Sequence, residues 1–182
     1  MMRIFFGLSL PEATRRAVES LSRGAQTLIP GRYALSGSHH LTLAFLGDVP
    51  QARLTEAQDV LTHCASAFPA PRIAVSGADF FGSAQNAILI LRAESQPDLT
   101  ALHRSLVSAL GRAALPVSCG PFAPHITLAR HAQISSAALL RLAEEAKRVP
   151  AFRAPCAHLF LSARDEANIL RYTPLFHADF LP

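Results

Sequence analysis

The chain has 182 residues, half of them hydrophobic and 16% charged, with a formal charge of +4 from 17 Lys and Arg against 13 Asp and Glu. That balance suits one folded domain over residues 1–182 with a sizeable core, and excludes a disordered chain. Nothing approaches the ~18 consecutive apolar residues of a transmembrane helix, so no membrane partner is expected. Cys64, Cys119 and Cys156 are odd in number, widely spaced and free of any CxxC pattern. They are expected to be reduced, mostly buried thiols of a cytoplasmic protein. Lys147 is the only lysine. The arginine bias points mildly to an anionic ligand, although a coding preference explains it equally well.

Arg3-Ile4-Phe5-Phe6-Gly7-Leu8-Ser9-Leu10 superficially resembles a secretory leader, but Pro11-Glu12 ends the short run and Arg15-Arg16 follow. Residues 3–9 are therefore expected to form a first buried strand. Pro11 suits a helix start, and Ala13, Ala17, Val18, Leu21, Ala25 and Leu28 supply an apolar stripe up to Pro30-Gly31. A short strand near 33–35 precedes Ser36-Gly37-Ser38, which turns the chain into a strand over 40–46 that Gly47-Asp48 closes. A helix over 51–66 carries Leu54, Ala57, Val60, Leu61 and Cys64 on one face. Residues 72–78 and 86–92 are expected to form a hairpin whose long connection holds Phe80, Phe81 and Gly82. Pro97-Asp98 opens a helix with Leu99, Leu102, Leu106 and Leu110 on its stripe. A proline-punctuated approach leads to a strand over 125–130, Ser135-Ser136 cap a helix to about Lys147, and strands near 156–162 and 169–177 close the chain. The order predicts an α+β domain with two similar lobes and antiparallel pairing.

Two strands carry the chemistry. His40-Leu41-Thr42-Leu43 is echoed by His125-Ile126-Thr127-Leu128. Side chains alternate along a strand, so each His shares a face with its Thr while the aliphatic residues anchor the other face. One copy of His-x-Thr-x is unremarkable. Two copies, each after a turn-rich lead-in, suggest two imidazoles facing one cleft as an acid–base pair. His63, His103, His131, His158 and His177 are expected to be surface or hydrogen-bonded histidines. His39 should face away from His40, so the two do not form a metal-ligand pair. No HExxH, GxSxG, Walker loop or GxGxxG occurs, and Cys119 lacks any activating neighbour.

Taken with their flanks, the motifs resemble those of the two-histidine (2H) phosphoesterase superfamily. More narrowly, the chain resembles the bacterial RNA 2′,3′-cyclic phosphodiesterases, once called 2′-5′ RNA ligases. The likeness runs through Arg3-Ile4-Phe5-Phe6-Gly7-Leu8, Arg32-Tyr33, His40 to Gly47, Leu102-His103, Phe122 to Arg130, Leu161-Ser162 and Arg171-Tyr172. The chain departs from the family where Tyr33 stands for Trp, Ser38 for Asn, His39 for Leu and Ala44 for a basic residue. Its closing turn, 163–167, lacks an expected glycine.

The resemblance implies a two-lobed 2H fold with helices outside a central cleft. It implies catalysis by His40 and His125 without metal or cofactor. Thr42, Thr127 and Arg130 would bind phosphate, and Phe5 and Tyr172 would lie nearest a bound ribose or base. A regular strand would put Arg130 on the face opposite His125, so its phosphate role requires a bulge or the strand's end. The implied substrates are RNA or nucleotides with 2′,3′-cyclic phosphate ends. Hydrolysis with His125 as base and His40 as acid would release O3′ and leave a 2′-phosphate, and reversal would join a cyclic end to a 5′-hydroxyl. Two alternatives stand beside this: a phosphodiesterase of 2′-5′ oligonucleotides or small nucleotides, and a non-catalytic RNA-end-binding module. A monomer is the default expectation.

Overall fold

The chain's computed structural model describes residues 1–118 and 120–181, so the thiol expected at Cys119 lies outside the described residues. The opening apolar run forms β1 (Met2–Ser9), and α1 (Glu12–Gln26) starts directly after Pro11, burying Val18 and Ala25 from its stripe. β2 (Arg32–Tyr33) and β3 (His40–Val49) lead through a 3-10 turn at Gln51–Arg53 into α2 (Leu54–Ala65), which buries Ala57, Leu61 and Cys64. β4 (Arg72–Ile73), β5 (Val75–Ser83) and β6 (Asn86–Ala93) precede α3 (Pro97–Arg112), whose predicted leucine stripe is buried. β7 (His125–Ala132) is followed by α4 (Ser136–Ala146), where the Ser135 hydroxyl accepts from the Ala138 amide at 3.3 Å as the expected cap. β8 (Phe152–Arg153), β9 (Cys156–Arg164) and β10 (Leu170–Asp179) complete the described elements.

The strands run β10-β9-β1-β3-β7-β6-β5, with β2 beside β7 and β4 paired separately with β8. Every pairing between these strands is antiparallel. The two central strands, β3 and β7, meet at one residue pair, Leu41 with Ile126. The sheet is therefore two arms joined at one point: β10-β9-β1-β3 on one side, β7-β6-β5 with β2 on the other. This is the α+β architecture with antiparallel lobes around a cleft. Helix α2 packs on β9, β10 and α3; α4 packs on β5 and α1. One continuous core runs beneath both arms, which no arm could supply alone.

Three expectations change. Gly47-Asp48 does not close β3: Gly47 takes φ of 74°, a left-handed conformation open to glycine, and the strand continues to pair Asp48 with Arg3 and Val49 with Met2. The hairpin has no long connection, because Phe80, Phe81 and Gly82 lie within β5 and only Ala84-Gln85 turn. The alternation around Asp79-Phe80-Phe81 was masked by Gly77 and Gly82, both at positive φ. In the closing turn the missing glycine is replaced by Asn168, at φ of 58°. Asp165 holds that turn by accepting from the Ala167 and Ile169 amides and from Arg171. Cys64 and Cys156 are both free, Cys64 buried and Cys156 half-buried.

Candidate active site

The junction at Leu41 and Ile126 places the two motifs. Leu41, Leu43, Ile126 and Leu128 are all within 1% of complete burial, so the opposite strand faces must turn outward. Extending the antiparallel register by one residue sets His40 level with Thr127 and Thr42 level with His125. All four line one cleft of about 730 Å³.

Both imidazoles are held the same way. His40 Nδ1 lies 2.8 Å from the Ser38 carbonyl oxygen, and His125 Nδ1 lies 2.7 Å from that of Ala123. A carbonyl only accepts, so Nδ1 carries the proton in each neutral ring and Nε2 is left as the basic nitrogen. The loop behind His40 is itself anchored. Glu19 on α1 accepts from the Ser36 hydroxyl at 2.7 Å, the Gly37 amide at 2.8 Å and Arg15 at 2.7 Å. These bonds, Ser36 foremost, hold its carboxyl down to about 2.

The surroundings of the two rings differ. His40 sits among Phe5 at 4.8 Å, Tyr172 at 4.6 Å and Phe160 at 5.7 Å between ring centroids. Burial pushes it down to about 4; the Ser38 bond opposes this, while His39, His125 and Arg130 add to it. Among the described residues His125 has one aromatic neighbour at such range, the edge-on ring of Phe81 at 5.0 Å, and Phe81 is exposed. Gly7 makes the His40 enclosure possible. A Cβ there would stand 3.0 Å from the Leu41 carbonyl oxygen and 3.3 Å from the rings of Phe160 and Phe5.

Arg130 reaches the cleft through a bulge. Pairing of β6 with β7 moves from Ile90–Thr127 to Leu89–Ala129, leaving Leu128 as the extra residue and resetting the alternation. β3 does the same at Leu43, between Gly7–Thr42 and Phe6–Ala44. Arg130 and Phe45, each five residues after its histidine, therefore both line the cleft, on opposite arms. Ala44, where the family often carries a basic residue, is buried in the core.

Phe5 and Tyr172 also line the cleft. Phe5 is only 2% exposed and stacks with Phe45 and Phe160 as well as His40, so its ring is occupied by protein neighbours. Tyr172 is half-buried and edges onto both His40 and Phe5. Of the other histidines, His103 donates from Nδ1 to the Leu43 carbonyl at 2.7 Å and stacks on Phe122 at 4.0 Å, tying α3 to the back of β3. His131, at φ of 52°, contacts Asn86 and lines the cleft. His39 faces away from the cleft, buried, with neither ring nitrogen partnered by another described residue, beside a 150 Å³ pocket behind His40.

Glu19 and Phe160, which sequence reasoning did not name, support the site, and Arg3, Arg32 and Ser162, named there only as part of the family likeness, belong to it. Arg32 pairs in register with Arg130, and Arg3, Arg32 and Ser162 line the cleft. Strand pairing brings Phe160, Arg3, Arg32 and Ser162 to the site, whereas Glu19 reaches it from α1 through its hydrogen bonds to Ser36 and Gly37.

Two splayed antiparallel arms that turn paired His and Thr side chains into one cleft define a two-histidine phosphoesterase. The chain belongs to the 2′-5′ RNA ligase superfamily, whose family model matches residues 10–168. It is 28% identical over 128 residues to an RNA 2′,3′-cyclic phosphodiesterase of Geobacillus stearothermophilus, a match spanning 69% of this chain but 41% of that protein. A Bacillus subtilis (strain 168) protein of the same name is 25% identical over 127 residues, 69% of each chain. The fold matches apo E. coli LigT with a TM-score of 0.76 at 23% identity, over 100% of this chain and 98% of that one. LigT has also been crystallised with 3′-AMP; that structure matches at a TM-score of 0.73 and 24% identity, over 100% and 99% of the two chains.

Proposed function

We propose that this phosphoesterase is a metal-independent RNA 2′,3′-cyclic phosphodiesterase that leaves a 2′-phosphate. The observation that carries the reading is the pair of imidazoles, each with Nδ1–H held by a backbone carbonyl and each lining the same cleft as both threonines. Hydrolysis of the strained cyclic diester needs a base on the attacking side and an acid on the leaving side, and two imidazoles supply both. Water attacks phosphorus while the neutral Nε2 of His125 takes its proton. The P–O3′ bond breaks, and His40 delivers its Nε2 proton to O3′.

His125 suits the base because its more open surroundings admit water. His40 suits the acid once an anionic diester is bound, since a negative charge inside the cleft favours the imidazolium that burial opposes in the empty site. Thr42 and Thr127 donate to the non-bridging oxygens, and Arg130 offsets the charge gathering there. Tyr172 and Phe5 flank the nucleoside, Phe5 chiefly by holding His40 in place. The reverse reaction joins a cyclic end to a 5′-hydroxyl, but needs a second RNA end to be positioned.

The relatives named RNA 2′,3′-cyclic phosphodiesterase support this substrate, and the 3′-AMP bound by LigT supports a nucleotide ligand more generally. The free thiols of Cys64 and Cys156 support a reducing, cytoplasmic setting, and among the described residues no helix is long and apolar enough to cross a membrane. The test is product analysis on a 2′,3′-cyclic end and on a linear 2′-5′ dinucleotide. A 2′-phosphate formed from the cyclic end, with little cleavage of the linear bond, is expected. Faster cleavage of the linear 2′-5′ bond would replace the reading with the oligonucleotide alternative. Binding without turnover of either would favour the end-binding module.

A further inference from the structure

The two bulges that bring Arg130 and Phe45 into the cleft give it two unlike ends. On the second arm the second residue after the bulge is itself a cation, Arg130, with Arg32 level with it on β2. On the first arm the equivalent residue is Phe45, and the cation comes from the neighbouring strand: the Arg3 guanidinium lies over the Phe45 ring, 4.9 Å from its centroid. A stacked guanidinium is held by its face, leaving its N–H edges directed outward.

Arg3 is also uncommitted. Asp48 is its partner in the β1–β3 register, yet among the described residues Arg3 forms no salt bridge and no side-chain hydrogen bond. Ser162 and Arg164 also line the cleft on this arm, and among the described residues no Asp or Glu lines it. Arg15, Arg16, Arg53, Arg141 and Lys147, by contrast, pair with carboxylates on the outer helices and turns. Arg3 and Arg164 on one arm and Arg32 and Arg130 on the other thus put positive charge on both sides of the histidine pair.

We propose that Arg3, carried on Phe45 and aided by Ser162, is a second phosphate subsite that binds the internucleotide phosphate next to the cyclic end. It rests on the RNA 2′,3′-cyclic phosphodiesterase reading and deepens it by making an oligonucleotide, rather than a mononucleotide, the preferred substrate. The terminal phosphate sits between His40 and His125, and the preceding phosphate meets the Arg3 end. One guanidinium on a phosphodiester is a charge-assisted contact that only a chain of two or more nucleotides can make. Phe45 acts as the positioning residue.

The test compares kcat/KM for a trinucleotide ending in a 2′,3′-cyclic phosphate with that for a 2′,3′-cyclic mononucleotide. Wild type is expected to prefer the trinucleotide, and Arg3→Gln to lower the trinucleotide-to-mononucleotide ratio about tenfold. The salt dependence of trinucleotide turnover should flatten by about 0.7 in the log–log slope, the value for one single-strand phosphate contact. Phe45→Leu should lower the ratio less, and Arg23→Gln, which removes an exposed charge on α1 outside the cleft, should leave it unchanged. Wild type without a trinucleotide preference, or a ratio and salt slope indifferent to Arg3→Gln, would overturn the subsite while leaving the activity standing. Turnover of neither substrate would instead defeat the parent reading. In that event, binding of a 3′-phosphorylated trinucleotide unaffected by Arg3→Gln would overturn the subsite as well.

Discussion

The two motifs differ by one residue, Leu41 against Ile126, and the same bulge follows each, yet their surroundings are unlike. His40 is enclosed by Phe5, Phe160 and Tyr172, whereas the one aromatic ring against His125 among the described residues is the exposed Phe81. The strand pattern gives each lobe an imidazole and a hydroxyl on one face. The surroundings of His40 are set by residues that the sequence places far away, on β1, β9 and β10. Two near-identical motifs thus sit in an asymmetric cleft, with an enclosed side and a more open side.

The largest test of that comparison removes one imidazole at a time. His40→Ala and His125→Ala should each lower turnover of a 2′,3′-cyclic nucleotide by about 10²–10⁴-fold. The asymmetry appears with an activated substrate whose aryloxide leaving group needs no proton. There His40→Ala should recover much of the lost rate and His125→Ala should not. Recovery in His125→Ala instead would exchange the two roles.

Next come the hydroxyls. Thr42→Val and Thr127→Val keep shape and remove the donor, and each should cost on the order of 10²-fold in kcat with little change in KM. A change in KM alone would mean ground-state binding only.

Titration of the His40 ring reads the enclosure directly. Burial holds the imidazole of the free protein down to about 4, so the midpoint followed by NMR of its ring protons should lie near there. With an anionic 2′-nucleotide bound the midpoint should lie higher, because the negative charge favours the imidazolium. Tyr172→Ser admits water, favours the charged ring and should raise the free midpoint towards the ordinary imidazole value of about 6.5. A midpoint that stays put or falls would show that the aromatic enclosure does not set it.

The smallest effect concerns His39, buried with neither ring nitrogen partnered by another described residue and pushed down by that burial. His39→Leu removes an unsatisfied polar group and should stabilise the fold by about 1 kcal/mol, read as a higher Tm near neutral pH. Destabilisation would show that His39 is satisfied in solution.

Much of this was legible because strands and helices with one buried face print a period on the sequence. The leucines of α3, the Ser135 cap and the doubled His-x-Thr-x strands are of that kind. Gly47 misled because a bulge glycine and a terminating glycine look alike in isolation. The β5 hairpin misled because its glycines interrupt an alternation that the partner strand restores. Arg130 was recognisable only by resemblance, since a regular strand would turn it away and the bulge at Leu128 exists through its pairing with β6. Glu19 and Phe160 carry no local signal, and Arg3 stood in the family likeness without a role. Their importance is created by contacts between residues far apart in the chain.

The most direct measurement is hydrolysis of a 2′,3′-cyclic RNA end in EDTA by wild type, His40→Ala and His125→Ala. EDTA-resistant turnover by wild type, falling by orders of magnitude in both folded variants, is the predicted result. Loss of wild-type activity in EDTA, or activity surviving in either variant, would contradict the two-histidine account.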